Sequence, residues 1–156
     1  LSAPLGLIVN YDFQEVTYVL LLQRGVQFSG GKVCGFQAEK TFVNKLKNGW
    51  SEPVKLDTPI NSDYTEYYFC QSKKGTIYFA SNRPGGNGAL DIYYVKPDNG
   101  KINNIGNIIN KGYTGDPCIA PDEGYIIFTS ARTLDANNVD LYISFNESGT
   151  WTEPVN

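Results

Sequence analysis

At 156 residues the chain is long enough for a domain with a real core, and its 13% aromatic share, 16 Gly and 8 Pro are those of a turn-rich all-β protein. It contains no His, which removes Ser-His-Asp and Cys-His nucleophiles, imidazole acid–base work and the commonest zinc sites. A formal net charge of −3 without any Lys/Arg run excludes the electrostatic footprint of a nucleic-acid binder, and no apolar run is long enough to insert in a membrane as a helix.

In chain order, residues 5–9, 16–22 and 32–36 carry the β-branched and aromatic content of strands but follow no repeat. Strands follow at 41–45 and 50–56. The next four are expected at 66–71, 76–80, 91–96 and 101–105, and four more at 116–120, 125–130, 140–145 and 150–155, joined by short Gly-, Asn- and Asp-containing turns. In 125–130, Ile126 and Phe128 share one face and Tyr125, Ile127 and Thr129 the other, which predicts a strand sandwiched between two sheets. Pro154 suits an outer edge strand, where no inward N–H is needed. The three cysteines, Cys34, Cys70 and Cys118, lack metal-ligand spacing and are expected to be buried thiols, the alternative being one disulfide plus a free thiol. With no Met in it, the chain is expected to be processed or cut from something longer.

The two sets of four strands are copies of each other. Residues 60–100 laid on 109–149 without a gap are identical at twelve of 41 positions, a period of 49. The shared residues include Tyr64 with Tyr113, Gly75 with Gly124, Ser81 with Ser130, Arg83 with Arg132 and Asp91 with Asp140. A partial third copy shows in the echo of Gly49-Trp-Ser-Glu-Pro-Val54 by Gly149-Thr-Trp-Thr-Glu-Pro-Val155. A period of this length marks a supersecondary unit that buries its apolar face only against a neighbour. Four antiparallel strands per unit is the plan of a β-propeller blade. The expected fold is therefore an all-β propeller of four-stranded antiparallel blades, about three of them present. Residues 1–56 would form a degenerate first blade with extra N-terminal strands, 57–107 the second and 108–156 the third. Closed rings typically need about four to eight blades, so further blades or self-association are expected to complete this one.

The block running from Gly75 through Ser81, Arg83 and Gly85 to Asp91-Ile-Tyr93, with Gly149-Thr-Trp-Thr-Glu-Pro-Val-Asn156, resembles the TolB-type, WD-like propeller repeat over roughly residues 40–156. Ser72-Lys-Lys-Gly75 departs from that family's Pro-Asp-Gly turn, and Ile102 replaces its Trp. The resemblance implies a bacterial, exported protein, periplasmic or secreted, used as a binding platform or as a domain beside a hydrolase.

Arg83 and Asp91 stand eight residues apart, as do Arg132 and Asp140. One reading is a ring of arginines clamping a carboxylate, with Arg24 a third member. The other is a structural Arg–Asp ion pair in each copy, and recurrence in both copies favours it, because what every copy keeps serves what every copy needs. Asp135, Asn137 and Asp140 cluster hard oxygen ligands, which makes calcium the one cofactor to consider, although such turn loops are commonplace. In the ungapped alignment Glu66 falls on Gly115, and no position of 66–74 matches its partner in 115–123. That stretch is the innermost strand of each unit, where propeller ligands are met. Tyr64, Glu66, Tyr67, Tyr113 and Asp116 are accordingly the candidate ligand contacts. The function expected is a non-catalytic binding or scaffold module for a protein or carbohydrate ligand. The alternative is part of a carbohydrate-active propeller enzyme, a glycosidase or polysaccharide lyase, with Glu66 and Asp116 as its two carboxylates.

Overall fold

The computed structural model describes residues 6–8, 17–23, 28–29, 32–33, 38–52, 54–56, 59–132 and 138–156. The chain divides into two compact units, Leu1–Thr65 and Glu66–Asn156. Both are built of antiparallel strands, and among the described residues there is no helix, hence none long and apolar enough to cross a membrane.

The first unit holds β1 (Gly6–Ile8), β2 (Thr17–Gln23), β3 (Phe28–Ser29), β4 (Lys32–Val33), β5 (Ala38–Leu46), β6 (Gly49–Trp50) and β7 (Val54–Lys55). Its main sheet runs β1-β2-β5-β6, with β7 also paired to β5, while β3 and β4 form a separate hairpin. The strands expected at 5–9 and 16–22 thus join one sheet with the strands at 41–45 and 50–56, although no repeat marks them, whereas the one expected at 32–36 is described only at Lys32–Val33, in the separate hairpin.

The second unit holds β8 (Glu66–Gln71), β9 (Ile77–Ser81), β10 (Asp91–Val95) and β11 (Ile102–Asn104), followed by β12 (Thr114–Ile119), β13 (Tyr125–Ser130), β14 (Asp140–Glu147) and β15 (Thr150–Trp151). Each set is a four-stranded antiparallel sheet in chain order, and neither sheet closes on itself. The last strand is shorter than expected, but Val155 continues its line by exchanging both backbone hydrogen bonds with Ile143 at 2.8 and 2.9 Å.

The registers show how the copies correspond. Ser81 pairs with Asp91 as Ser130 pairs with Asp140, so β9–β10 and β13–β14 keep the 49-residue period. The first strands do not. Ser81 faces Glu66 whereas Ser130 faces Thr114, and Ile77 faces Gln71 whereas Ile126 faces Ile119. Along β8 and β12 the copies are therefore offset by 48. The extra residue lies in the turn: Ser72 N–H closes onto Thr76 O across residues 73–75, and Ala120 N–H onto Tyr125 O across 121–124. In this frame Cys70 matches Cys118, and Glu66 matches Thr114 rather than Gly115.

The two sheets pack face to face. Cys70, Tyr78 and Ile92 of one, with Ile105 and Ile109 of the connection, meet Ile119, Ile126 and Phe128 of the other, and Tyr94, Tyr142 and Trp151 close the rim. Each fully buried Phe or Ile side chain in this layer is worth about 1.5–3 kcal/mol. Backbone bonds lace the same interface: Lys73 N–H to Pro121 O at 2.8 Å, Ala89 N–H to Gly112 O at 3.1 Å and Thr114 N–H to Leu90 O at 2.9 Å. Gly88 makes the last two possible, because a Cβ there would lie 1.6 Å from Gly112 O. The expectation of a sandwiched strand at 125–130 holds for one face only. Ile126 and Phe128 are buried, while Tyr125 and its cross-strand partner Phe145 are exposed.

Candidate functional site

A β-bulge interrupts each first strand, between Tyr67 and Cys70 in β8 and between Gly115 and Cys118 in β12. A bulge places two residues opposite one and re-aims a side chain. The re-aimed residues are structural equivalents, Tyr68 at φ +50° and Asp116 at φ +48°, a conformation that bulky residues rarely adopt. Tyr67 and Tyr68 are nearly half exposed, with ring centroids 5.9 Å apart. Tyr113 lies in the same neighbourhood: burial pushes its phenol up, and Asp116, Tyr68 and Tyr67 add to the rise. The Asp116 carboxylate accepts the Thr129 hydroxyl at 2.6 Å through one oxygen. Its other oxygen has no hydrogen-bond partner among the described residues. The unit thus presents three phenol rings and a carboxylate, groups that stack on flat or CH-rich surfaces and accept hydroxyl or amide protons.

Of the five candidate contacts, the structure brings together Tyr67, Tyr113 and Asp116. Tyr64 belongs to the first unit and is exposed, its N–H donating to Ser62 Oγ at 3.2 Å. Glu66 is a correction. It is 2% exposed, and its Oε1 takes Arg83 Nη2 at 3.2 Å, so it is a buried structural anion rather than a surface ligand group. Tyr68 was not among the candidates; the strand registers make it the counterpart of Asp116, where the ungapped alignment sets it against Pro117. The shared cysteine, Cys70 with Cys118, is the signal that finds the true register.

The predicted Arg–Asp pairs are a second correction. Among the described residues Arg83 is joined to Glu66 and not to Asp91. Its guanidinium lies over the Phe79 and Tyr93 rings at 4.9 and 5.3 Å from their centroids, and Nε donates to Ser81 Oγ at 3.1 Å. Burial lowers its pKa, and the Glu66 carboxylate opposes that shift. Asp91 instead holds its own loop: Oδ2 accepts the N–H groups of Asn87 at 2.6 Å and Gly88 at 3.2 Å. Gly86 permits this, since a Cβ there would fall 1.8 Å from that oxygen. The loop therefore engages one oxygen of Asp91 locally, the other having no hydrogen-bond partner among the described residues, while Arg83 turns across the sheet. In the second copy, Arg132 Nη1 donates to the carbonyls of Ile108 and Ile109 at 3.3 and 3.1 Å, and Nη2 lies 3.7 Å from Glu153. Asp140 is exposed and, among the described residues, makes no ion pair with Arg132. The two arginines are thus committed within the sheets rather than gathered into a clamp; Arg24 lies outside the described residues.

Asp135 and Asn137 of the calcium candidate also lie outside them, and the described residues contain no group of three or more His, Cys, Asp or Glu able to hold a metal. Cys34 is likewise outside. Cys70 and Cys118 are both free thiols, the first buried and the second exposed, contrary to the expectation that both would be buried. Burial pushes the Cys70 thiol up to about 12, against the opposing effect of the Ile119 N–H donated to its sulfur at 3.3 Å.

No family model matches this chain, and no curated protein matches it.

Proposed function

We propose that the chain is a non-catalytic binding module built from β-propeller blades of the TolB-like, WD-like type. It would be part of an exported bacterial protein, periplasmic or secreted, and take a glycan or protein ligand on the Tyr67, Tyr68, Tyr113 and Asp116 surface. The blade reading is supported by the two chain-order, four-stranded sheets, packed with their equivalent faces in series and repeating at the sequence period. The single observation that carries the ligand reading is the pair of matched bulges that turn Tyr68 and Asp116 outward at the same place on successive first strands. Aromatic rings lose little side-chain entropy on binding and carry polar tips, which suits them to sugar faces and to peptide surfaces alike.

The alternative of a carbohydrate-active enzyme needs two carboxylates flanking a bond. Glu66, one of the two nominated, is buried against Arg83, and this favours binding over turnover. A glycan panel read separately for binding and for hydrolysis or elimination tests the choice. Binding without turnover, weakened about tenfold or more by Tyr68→Ala or Asp116→Asn, is the expected result. Turnover abolished by Asp116→Asn would overturn the non-catalytic reading, and binding indifferent to both substitutions would overturn the site.

A further inference from the structure

Asp116 brings a charge to the tyrosine surface. It is half-buried in β12, and among the described residues it forms no ion pair. Three basic side chains stand at the end of the sheets where β8 and β12 begin, and all three are engaged elsewhere. Arg83 takes Glu66 at 3.2 Å, Lys111 takes Glu153 at 3.2 Å, and Arg132 donates to the carbonyls of Ile108 and Ile109. Around the carboxylate are aromatic rings. Tyr67 and Tyr68 have centroids 5.9 Å apart and planes tilted by 35°. Tyr113 Cε1 lies 3.9 Å from the Cβ that residue 115 would carry, so its ring runs beside the residue preceding Asp116. The rise of the Tyr113 phenol, to which Asp116, Tyr68 and Tyr67 all add, reflects the same proximity. The face of a tyrosine ring is electronegative and attracts a cation, and Asp116 supplies the countercharge.

The bonds already made by Asp116 narrow the kind of cation. Its Oδ2 accepts the Thr129 hydroxyl at 2.6 Å, which leaves one oxygen for a ligand. A guanidinium donates through a planar fork that matches two free carboxylate oxygens. An ammonium is a compact point charge that needs only one, and a lysine adds an alkyl stem to lie along apolar surface. A quaternary ammonium has no N–H to give that oxygen, and a neutral sugar hydroxyl brings no charge to balance it. An amino sugar carries its ammonium on the ring, with no flexible stem to lie on rings of one strand while the charge reaches the next. Tyr67 and Tyr68, at 43% and 48% exposure, are open to a side chain projecting from a folded partner.

We infer that the group received by the Tyr67, Tyr68, Tyr113 and Asp116 surface is the primary ammonium of a lysine on a protein ligand, its stem on the tyrosine rings and one N–H donated to the open oxygen of Asp116. The inference rests on the ligand reading of this surface and adds the charge and chemical class of what is bound.

The test titrates the full chain with peptides of one neutral sequence that differ only in a central lysine, arginine, norleucine, acetyl-lysine or trimethyl-lysine. A chitosan trisaccharide serves as the amino-sugar probe. Tyrosine ring resonances, assigned in a ring-labelled sample, report where each probe binds. The lysine peptide is expected to shift Tyr67, Tyr68 and Tyr113, and to bind about tenfold tighter than the norleucine and acetyl-lysine peptides and severalfold tighter than the others. Asp116→Asn should remove that preference; it keeps an acceptor for Thr129, and asparagine tolerates a positive φ. Norleucine binding these rings as tightly as lysine, or a lysine preference that survives Asp116→Asn, overturns the ammonium while the surface stands as the ligand site. Tighter binding of the arginine or trimethyl-lysine peptide overturns the assigned cation, and tighter binding of the trisaccharide overturns the protein source. Rings silent toward every probe overturn the inference outright, and the glycan panel then decides whether the ligand reading of the surface falls with it.

Discussion

Gly88→Ala probes how the two sheets of the second unit are held together. The added methyl would sit 1.6 Å from Gly112 O, where atoms in contact ordinarily stand about 3.5 Å apart, so the loop must retreat by roughly 2 Å. Retreat breaks the Ala89 N–H to Gly112 O bond and strains that from Thr114 N–H to Leu90 O, each worth about 0.5–1.5 kcal/mol net. It also pulls the Asn87 and Gly88 amides from the Asp91 carboxylate, which is 1% exposed and whose other oxygen has no partner among the described residues. With overpacking at about 1–3 kcal/mol, the total comes to about 2–5 kcal/mol, or a fall in Tm of roughly 5–15 °C for a chain of this size. Gly100→Ala is the control: its φ is +62°, so alanine is strained there, but nothing lies within 4 Å of the new Cβ. It should cost only about 1–2 kcal/mol. Urea unfolding of both variants gives the difference, and hydrogen exchange at Ala89 and Thr114 locates it. If Gly88→Ala costs no more than Gly100→Ala, or leaves both amides as protected as before, the close approach of loop and backbone does not hold the sheets.

Replacing Arg83 by Met keeps much of the stack on Phe79 and Tyr93 but removes the cation facing Glu66, at a cost of about 3 kcal/mol in urea unfolding. The double variant with Glu66→Gln should recover most of that loss, and simple additivity would refute a coupled pair. Burial alone would raise the Glu123 carboxyl, but hydrogen bonds from Thr76, Ser72 and Lys74 hold it below its ordinary 4.5. The unfolded chain therefore takes up the proton first. The stability from Glu123 is complete above about pH 4.5 and is lost as pH falls through the folded value, so Glu123→Gln should flatten that limb of the stability profile, and unchanged acid limbs would count against the clamp. Under native conditions a thiol reagent should label Cys118 and spare Cys70 until unfolding, as mapped by mass spectrometry; equal labelling of the two would contradict the burial of Cys70.

What the chain's own order of residues determines here is local and periodic. Alternating Ile, Tyr, Phe and Val between Gly- and Asn-bearing turns specify strands at 66–71 and 125–130, and the 49-residue spacing makes two sheets of one plan, because side-chain alternation and turn chemistry act over a few residues. Contacts between distant segments were decided only by the tertiary structure. Arg83 and Asp91 are equally near in sequence whether or not they meet; the loop over Gly86 holds one oxygen of Asp91 with its own amides, and Arg83 reaches across the sheet to Glu66. The register of the first strands turns on a single extra residue in the 121–124 turn, which one shared cysteine marks too faintly for an ungapped comparison, and only that register makes Tyr68 the counterpart of Asp116. Tyr125 and Phe145 carry the composition of buried residues, but a strand's sequence specifies only that its face is apolar. Whether another sheet lies against that face depends on chain packed from elsewhere, and local propensity carries no record of it.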